Sequence, residues 1–359
     1  MRKVLLVLPV IGFLWFLPLP AGGGEWTLEL LLHGRRVQGT PLASSNTVVD
    51  LLGRDGVWWS FRPEEAEDYR KLSDGFRPVT QGEMRALLIG EFGRGYEVTG
   101  TGNYLVVHPA GQGSQWANRF EELYRNFVQY FAVRGFRLQT PRFPLAAVVF
   151  PTKSEFHAYA ARHGGQLPEG VLGYYSRRSN RILLYDLTAE GGEFAWTDNA
   201  ATIIHEATHQ TAFNTGIHQR FGAPPAWAVE GLATMFEAPG VYDTRRHTSL
   251  ESRVNRGRLA SFRSYAAPRQ TGQILAELIE SDRLFQVNPD AAYAHAWALT
   301  FYLSEQHPKQ YARYLTQTAA RPLLADYTAT QRKQDFIAEF GADFAMLEAR
   351  LLRFLATIK

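Results

Sequence analysis

Two histidines and a glutamate stand together in IIHEATHQTAFNTG, residues 203–216. On a helix, positions four apart lie on one face, one turn above the other. His205 and His209 can therefore aim imidazole nitrogens at a single ion about 2.0–2.1 Å away. Glu206, beside the first of them, can reach a water on that ion without ligating the ion itself. Zinc brings the pKa of such a water down to about 7, and a carboxylate can take its proton as hydroxide attacks a carbonyl. The pattern points to metal-assisted hydrolysis. A plainer reading is a polar helix face with two satisfied histidines. Ile203, Ile204, Ala207 and Ala212 weigh against it, because they make the helix largely buried and buried histidines need partners.

A catalytic zinc takes three protein ligands and keeps one position open. The chain contains no cysteine, so its donors must be histidine and carboxylate, and no disulfide framework exists. In PPAWAVEGLATMFE, residues 224–237, Glu230 is a lone carboxylate in an apolar run formed with Val229, Leu232, Ala233, Met235 and Phe236. Burying it is costly unless it is paired or binds a metal. It follows His209 by 21 positions, enough to end one helix, turn, and pack a second antiparallel to it. The expected metal set is His205, His209 and Glu230 around one Zn2+ per chain, with Glu206 catalytic. The alternative for Glu230 is a surface carboxylate at a helix start.

The elements around these residues divide into a β-rich first part and an α-rich second part, an α+β chain with HEATH at the junction. Val48–Leu52 and Val57–Phe61 flank Gly53-Arg54-Asp55-Gly56, a hairpin signal. Pro63–Leu72 reads as a short charged helix. Gly82–Phe92 reads as a second helix, opened by the capping-box pair Thr80 and Glu83. Tyr96–His108 is a hairpin around Gly100 and Gly102, with His108 as scaffold. Trp116–Phe131 carries Phe120, Leu123, Phe127 and Phe131 along one stripe. Pro144–Phe150 is a buried strand by its continuous apolar character, followed by a helix over Ser154–Arg162. Two strand-like runs surround Ser176–Asn180, the second being Arg181–Leu187. Asp198 or Asn199 can cap the motif helix, which ends before Gly216. Pro225 opens the next helix, and several more fill residues 270–359.

HEATHQ, followed by an AVEGLATMFE helix, resembles the gluzincins, the thermolysin-like zinc metallopeptidases of peptidase clan MA whose third ligand is a glutamate. It is closer still to a bacterial peptidase-like family catalogued as a domain of unknown function. That family shows HEATHQ, P-x-W-x-x-E-G-L-A and Y-A-x-x-W-A-L segments, here His205–Gln210, Pro225–Ala233 and Tyr293–Leu299. The similarity runs from about Phe76 to Leu303. It implies a thermolysin-like zincin core with a mixed sheet before the helices. It also implies an oxyanion donor from a downstream helix, for which Tyr293 matches the pattern; His295, Tyr242 and His247 are the other candidates. Tyr293 could instead simply pack on Trp297. The resemblance further implies an edge strand before the motif helix that pairs with extended peptide, a place that Arg181–Leu187 occupies; the alternative is an edge strand covered by a loop. Some gluzincins place an aspartate four residues after the glutamate ligand to orient a histidine. Here that position is Thr234, and Glu237 is the other residue able to serve.

The N-terminus, MRKVLLVLPVIGFLWFLPLPAGGGEW, has Arg2 and Lys3 before an apolar stretch from Val4 to Leu19 and then small residues. This is the form of a signal peptide, or of an uncleaved anchor over residues 4–19. The expected divisions are residues 1–23 as signal, 25–75 as a small β-rich module and 76–359 as the peptidase-like domain. Export to the envelope or medium follows. The net charge of +3 falls to +1 without Arg2 and Lys3. Arg177-Arg178 and Arg245-Arg246 read as solvated faces rather than a nucleic-acid footprint, and His218 and His307 as surface residues. The leading expectation is a zinc-dependent peptidase acting on peptide or protein, with Glu206 as base. The alternative is a zinc-binding, non-catalytic envelope scaffold or partner-binding module.

Overall fold

The computed structural model describes residues 25–163, 165–186, 195–265 and 272–358. The expected leader, 1–23, lies outside them, as does Leu187. Residues 25–54 and 59–77 form one compact unit; 55–58 and 78–358 form a second. The chain is α+β, with two sheets in its first half and helices through most of its second.

The first sheet comprises β1 (Thr27–Leu32), β2 (Arg35–Ser44), β3 (Val49–Gly53), β4 (Trp58–Phe61) and β5 (Ala66–Ser73), in the order β4-β3-β2-β1-β5. The expected hairpin around residues 53–56 is β3 and β4. Leu28, Leu30, Leu32, Val37, Leu51 and Phe61 make the core of this unit. The helix expected over Pro63–Leu72 is not formed. Only Pro63–Glu65 is helical, as one 3-10 turn, and Ala66–Ser73 pairs antiparallel with β1. The pairing sets Arg70 opposite Glu29, whose carboxylate also accepts from Gln38. Cross-strand pairing of these charged groups outweighs the helical propensity of a short polar run.

The second sheet contains β6 (Tyr96–Gly100), β7 (Tyr104–Pro109), β8 (Leu145–Phe150), β9 (Gly173–Ser176) and β10 (Arg181–Tyr185), in the order β6-β7-β8-β10-β9. β7, β8 and β10 are parallel, and the outer strands run antiparallel to their neighbours. Helices α1 (Gln81–Phe92) and α3 (Lys153–Arg162) cover one face through Met84, Leu88, Phe156 and Tyr159. Helices α2 (Gln115–Ala132) and α4 (Ala195–Asn214) cover the other through Trp116, Phe120, Ile203 and Ala207. A sheet covered on both faces needs continuously apolar central strands, hence LAAVVF and RILLY. The Thr80–Glu83 capping box opens α1 as expected. α4 begins at Ala195, so Asp198 and Asn199 lie within the helix rather than capping it. Gly216 follows its end at a φ of 84°, a conformation that suits glycine.

The remaining helices are α5 (Ala226–Phe236), α6 (Pro239–Tyr242), α7 (Arg256–Tyr265), α8 (Gln273–Glu280), α9 (Arg283–Val287), α10 (Pro289–Gln306), α11 (Pro308–Ala319), α12 (Ala329–Phe340) and α13 (Phe344–Ala356). They share one core, built on Trp227, Phe236, Trp297, Phe301, Tyr314 and Phe336. α10 is its axis. From Ala291 to Ser304, every residue except Tyr293 is buried, which marks a helix enclosed on all sides. Among the described residues no helix is long and apolar enough to cross a membrane.

Candidate metal centre

Two helices carry the polar cluster, and each is fixed by specific contacts. Gln210 ties α4 to the sheet: its Nε2 donates to the carbonyls of Ala146 (3.0 Å) and Asn180 (2.8 Å). α5 starts where the Ala226 N–H donates to Asp282 Oδ1 at 2.9 Å, and Arg332 holds that carboxylate in turn. α5 then packs closely on α10 at Gly231. A Cβ there would lie 2.5 Å from the Ala296 carbonyl oxygen and closer still to Thr300 Oγ1. In an open helix, Gly→Ala is stabilising by about 1 kcal/mol. Here we expect the opposite sign: Gly231→Ala destabilises by about 1–3 kcal/mol through overpacking. Thermal unfolding measures it, and a raised Tm would refute this account of the helix contact.

These helices bring His205, His209 and Glu230 together. The two Nε2 atoms are 3.0 Å apart, and Glu230 Oε2 lies 3.3 Å from the first and 3.5 Å from the second. A tetrahedral ion bound at about 2.0–2.1 Å spaces its ligand atoms by roughly 3.3 Å, which these three edges match. Glu230 Oε2 is buried and makes no hydrogen bond. An orphaned carboxylate oxygen facing two imidazole nitrogens fits a cation between them. The electrostatics agree. Burial opposes charge on His205, but contacts with Glu230 and Glu237 raise its pKa well above the ordinary value. Burial likewise opposes charge on Glu230, yet the charge of His209 and contacts with both histidines hold its carboxyl far below the usual range. The cluster draws in a proton where a metal would sit.

Glu237 orients the first histidine. His205 Nδ1–H donates to Glu237 Oε1 at 2.8 Å, which leaves Nε2 facing His209 and Glu230. Glu237 Oε2 accepts from Asn255 Nδ2 at 2.8 Å, and Asn255 also donates to the Thr234 carbonyl and caps α7. Thr234 does not take this role, since its hydroxyl donates back to the Glu230 carbonyl at 2.7 Å. Removing an orienting carboxylate typically costs 10–100-fold in metal affinity, and Glu237→Ala should weaken metal binding by about that factor in chelator competition. An unchanged affinity would mean that the contact orients nothing.

Glu206 stays out of the three-residue cluster. Its Oε2 accepts the backbone N–H of Tyr175 at 2.6 Å. Tyr175 belongs to β9, the outer strand of the sheet. The edge strand expected at Arg181–Leu187 is not an edge: Arg181–Tyr185 is the interior strand β10, bonded on both sides. RILLY is fully buried because it is interior, whereas GYYS is half-buried along its length. Tyr293 stands beside Glu230. Burial, the charge of Glu230, contact with that carboxylate and the charge of Glu206 raise its pKa. Its ring meets Phe285 edge-on, while Trp297 stacks on Phe301. His295 turns elsewhere, donating from Nδ1 to the Ala291 carbonyl and packing on Phe262. Tyr242 packs on the helical core and His247 is exposed.

Three further expectations are corrected. His218 is buried, 3% exposed, with an unpartnered Nε2, because the turn after Gly216 folds it against Phe213. Burial, aided by the charge of His209, pulls its pKa down to about 3. His307 is half-buried against Tyr302 rather than free on the surface. Arg177 is a pin, not a solvated face: it donates to the carbonyls of Arg220 and Gly222. Arg178, Arg245 and Arg246 are exposed as expected. His108 is buried scaffold, held by Thr99 and the Pro109 carbonyl.

The family model that matches the chain is "Protein of unknown function (DUF1570)", over residues 199–325, from α4 to just beyond α11. No curated protein matches. Among solved structures, the M1 zinc metallopeptidase from Deinococcus radiodurans is similar with a TM-score of 0.39 and 12% identity, over 69% of this chain and 47% of that one. A mutant of it aligns at 0.40 and 12%, over 69% and 48%. The same mutant bound to a Tyr-ser-ala substrate aligns at 0.40 and 12%, over 69% and 47%. The chain spans about half the length of these structures.

Proposed function

We propose that this protein is a zinc-dependent peptidase of the gluzincin kind. His205, His209 and Glu230 hold the ion, Glu206 is the general base and Tyr293 donates to the oxyanion. One observation carries the reading: three lone-pair groups, one of them an orphaned carboxylate oxygen, converge at tetrahedral spacing, with Glu206 on the helix of the two histidines. A purely structural metal site has no use for that fourth group. Bound here, zinc supplies a Lewis acid that acidifies water and polarises a carbonyl. Tyr175 anchors one oxygen of Glu206, leaving the other to accept a proton and return it to the leaving amine. The raised pKa of Tyr293 keeps its hydroxyl protonated, as a donor to developing negative charge must be. The form of residues 1–23 supports export, and with it a peptide or protein substrate outside the cytoplasm.

The test uses the full-length protein, zinc-loaded, against a mixed peptide library, with a chelated control. Cleavage that disappears with the metal supports the reading. Stoichiometric zinc without any cleavage refutes the peptidase and leaves the metal-holding scaffold.

A further inference from the structure

Arg258 lies in the first turn of α7, and its position is indexed to the metal cluster. Its N–H donates to Asn255 Oδ1 at 3.1 Å, and the same Asn255 side chain holds Glu237, the partner of His205. The Arg258 guanidinium sits over the ring of Tyr293, 5.0 Å from its centroid. One aromatic ring therefore separates it from Glu230.

Arg258 is half-buried, and among the described residues no carboxylate pairs with its guanidinium. Other partly buried arginines of this helical region are paired: Arg253 with Glu305, Arg321 with Asp335 and Arg332 with Asp282. Arg177 and Arg220, which have no such pair, spend their donors on backbone carbonyls. Arg258 does neither. A guanidinium resting on a ring is held in place by the cation–π contact while its in-plane N–H donors stay unspent. That fork matches a carboxylate in bidentate geometry.

We propose that Arg258 is a carboxylate-recognition residue, which makes anionic peptides the preferred substrate class. The inference rests on the peptidase reading for the word substrate. The anionic group is either the C-terminal carboxylate of the peptide or the side chain of an Asp or Glu near the bond to be cut. Both present the same chemistry to the guanidinium. An N-terminal ammonium on this side of the site would be repelled.

The test compares the full-length, zinc-loaded protein with its Arg258→Gln and Arg258→Lys forms, each also carrying Glu206→Gln for binding by calorimetry. The probes are one neutral peptide with a free C-terminus, the same peptide amidated, and amidated versions with an internal Glu or Gln. The expected result is tighter binding of a carboxylate-bearing peptide than of its neutral counterpart by about 10-fold or more, the scale of a charged hydrogen-bonded pair. Arg258→Gln abolishes this preference and Arg258→Lys retains part of it. Whether the free terminus or the internal Glu confers the preference identifies the source. Equal losses for charged and neutral peptides overturn the proposal and make Arg258 a support for Tyr293. If nothing binds, the proposal also falls. Arg258-dependent binding without cleavage by the Glu206-intact form sustains it while the peptidase reading fails. Cleavage without charge preference does the reverse.

Discussion

Glu206→Gln is expected to keep one zinc per chain and to lower peptide hydrolysis by about 10²–10⁴-fold, the usual contribution of a positioned general base. The retention follows from geometry. The converging atoms belong to His205, His209 and Glu230, and Glu206 is not one of them. A glutamine is nearly the same size, and its amide oxygen can still accept the Tyr175 N–H now bonded at 2.6 Å. In the proposed mechanism the general-base position then offers an amide, which cannot take a proton. The variant should fold, bind metal and bind peptide with little change, so the loss falls on kcat rather than KM. Metal analysis and steady-state rates on a peptide cut by the wild type check both halves. Activity within a few-fold of wild type would remove Glu206 from the mechanism. Loss of the metal would show instead that it shapes the site.

The parts of this architecture visible in the sequence are those governed by local periodicity. Four-residue spacing puts His205 and His209 on one helix face, and the structure holds their Nε2 atoms 3.0 Å apart. The Thr80–Glu83 box and the turn glycines mark boundaries because each satisfies a local backbone requirement. What escaped the sequence depends on contacts between distant segments. Pro63–Leu72 has helical character, but Glu29, some forty residues earlier, provides a strand partner for Arg70. Apolar runs do not reveal which of two neighbouring strands is the outer one, and the edge expected at Arg181–Leu187 belongs to β9 instead. Asn255, Tyr175 and Arg258 carry no metal-ligand signature. Asn255 does precede a helix as a cap, a signal that could have drawn attention to it, but its second partner, Glu237, is fixed only by tertiary packing. The burial of His218 likewise depends on the turn at Gly216, which no local pattern around it reveals.

Glu230→Ala should cost more in metal affinity than the roughly 10–100-fold that follows removal of an orienting partner, because it deletes one of three donors. Thermal unfolding with and without zinc gives a second measure. A metal that binds only the folded protein stabilises it in proportion to the logarithm of its saturation, so the zinc-induced rise in Tm expected of the wild type should largely vanish. The metal-free proteins should differ as well, in a pH-dependent way. The folded pKa of His205 is raised, so its stabilising contribution is fully present below its unfolded value of 6.5 and is lost as pH climbs through the raised value. The folded pKa of Glu230 is depressed, so its contribution is present above 4.5 and is lost as pH falls through the depressed value. Both contributions are complete between pH 4.5 and 6.5, where the gap between wild type and variant should be widest. Breaking one side of a buried pair costs about 3–5 kcal/mol, and Glu237 remaining on His205 Nδ1 should hold the cost near the lower figure. At alkaline pH the gap should close, because the wild type loses the same proton. A gap that is constant from acid to alkaline pH would point to lost packing on α5 rather than lost charge, and a variant that still binds zinc as tightly as the wild type would require a different third ligand.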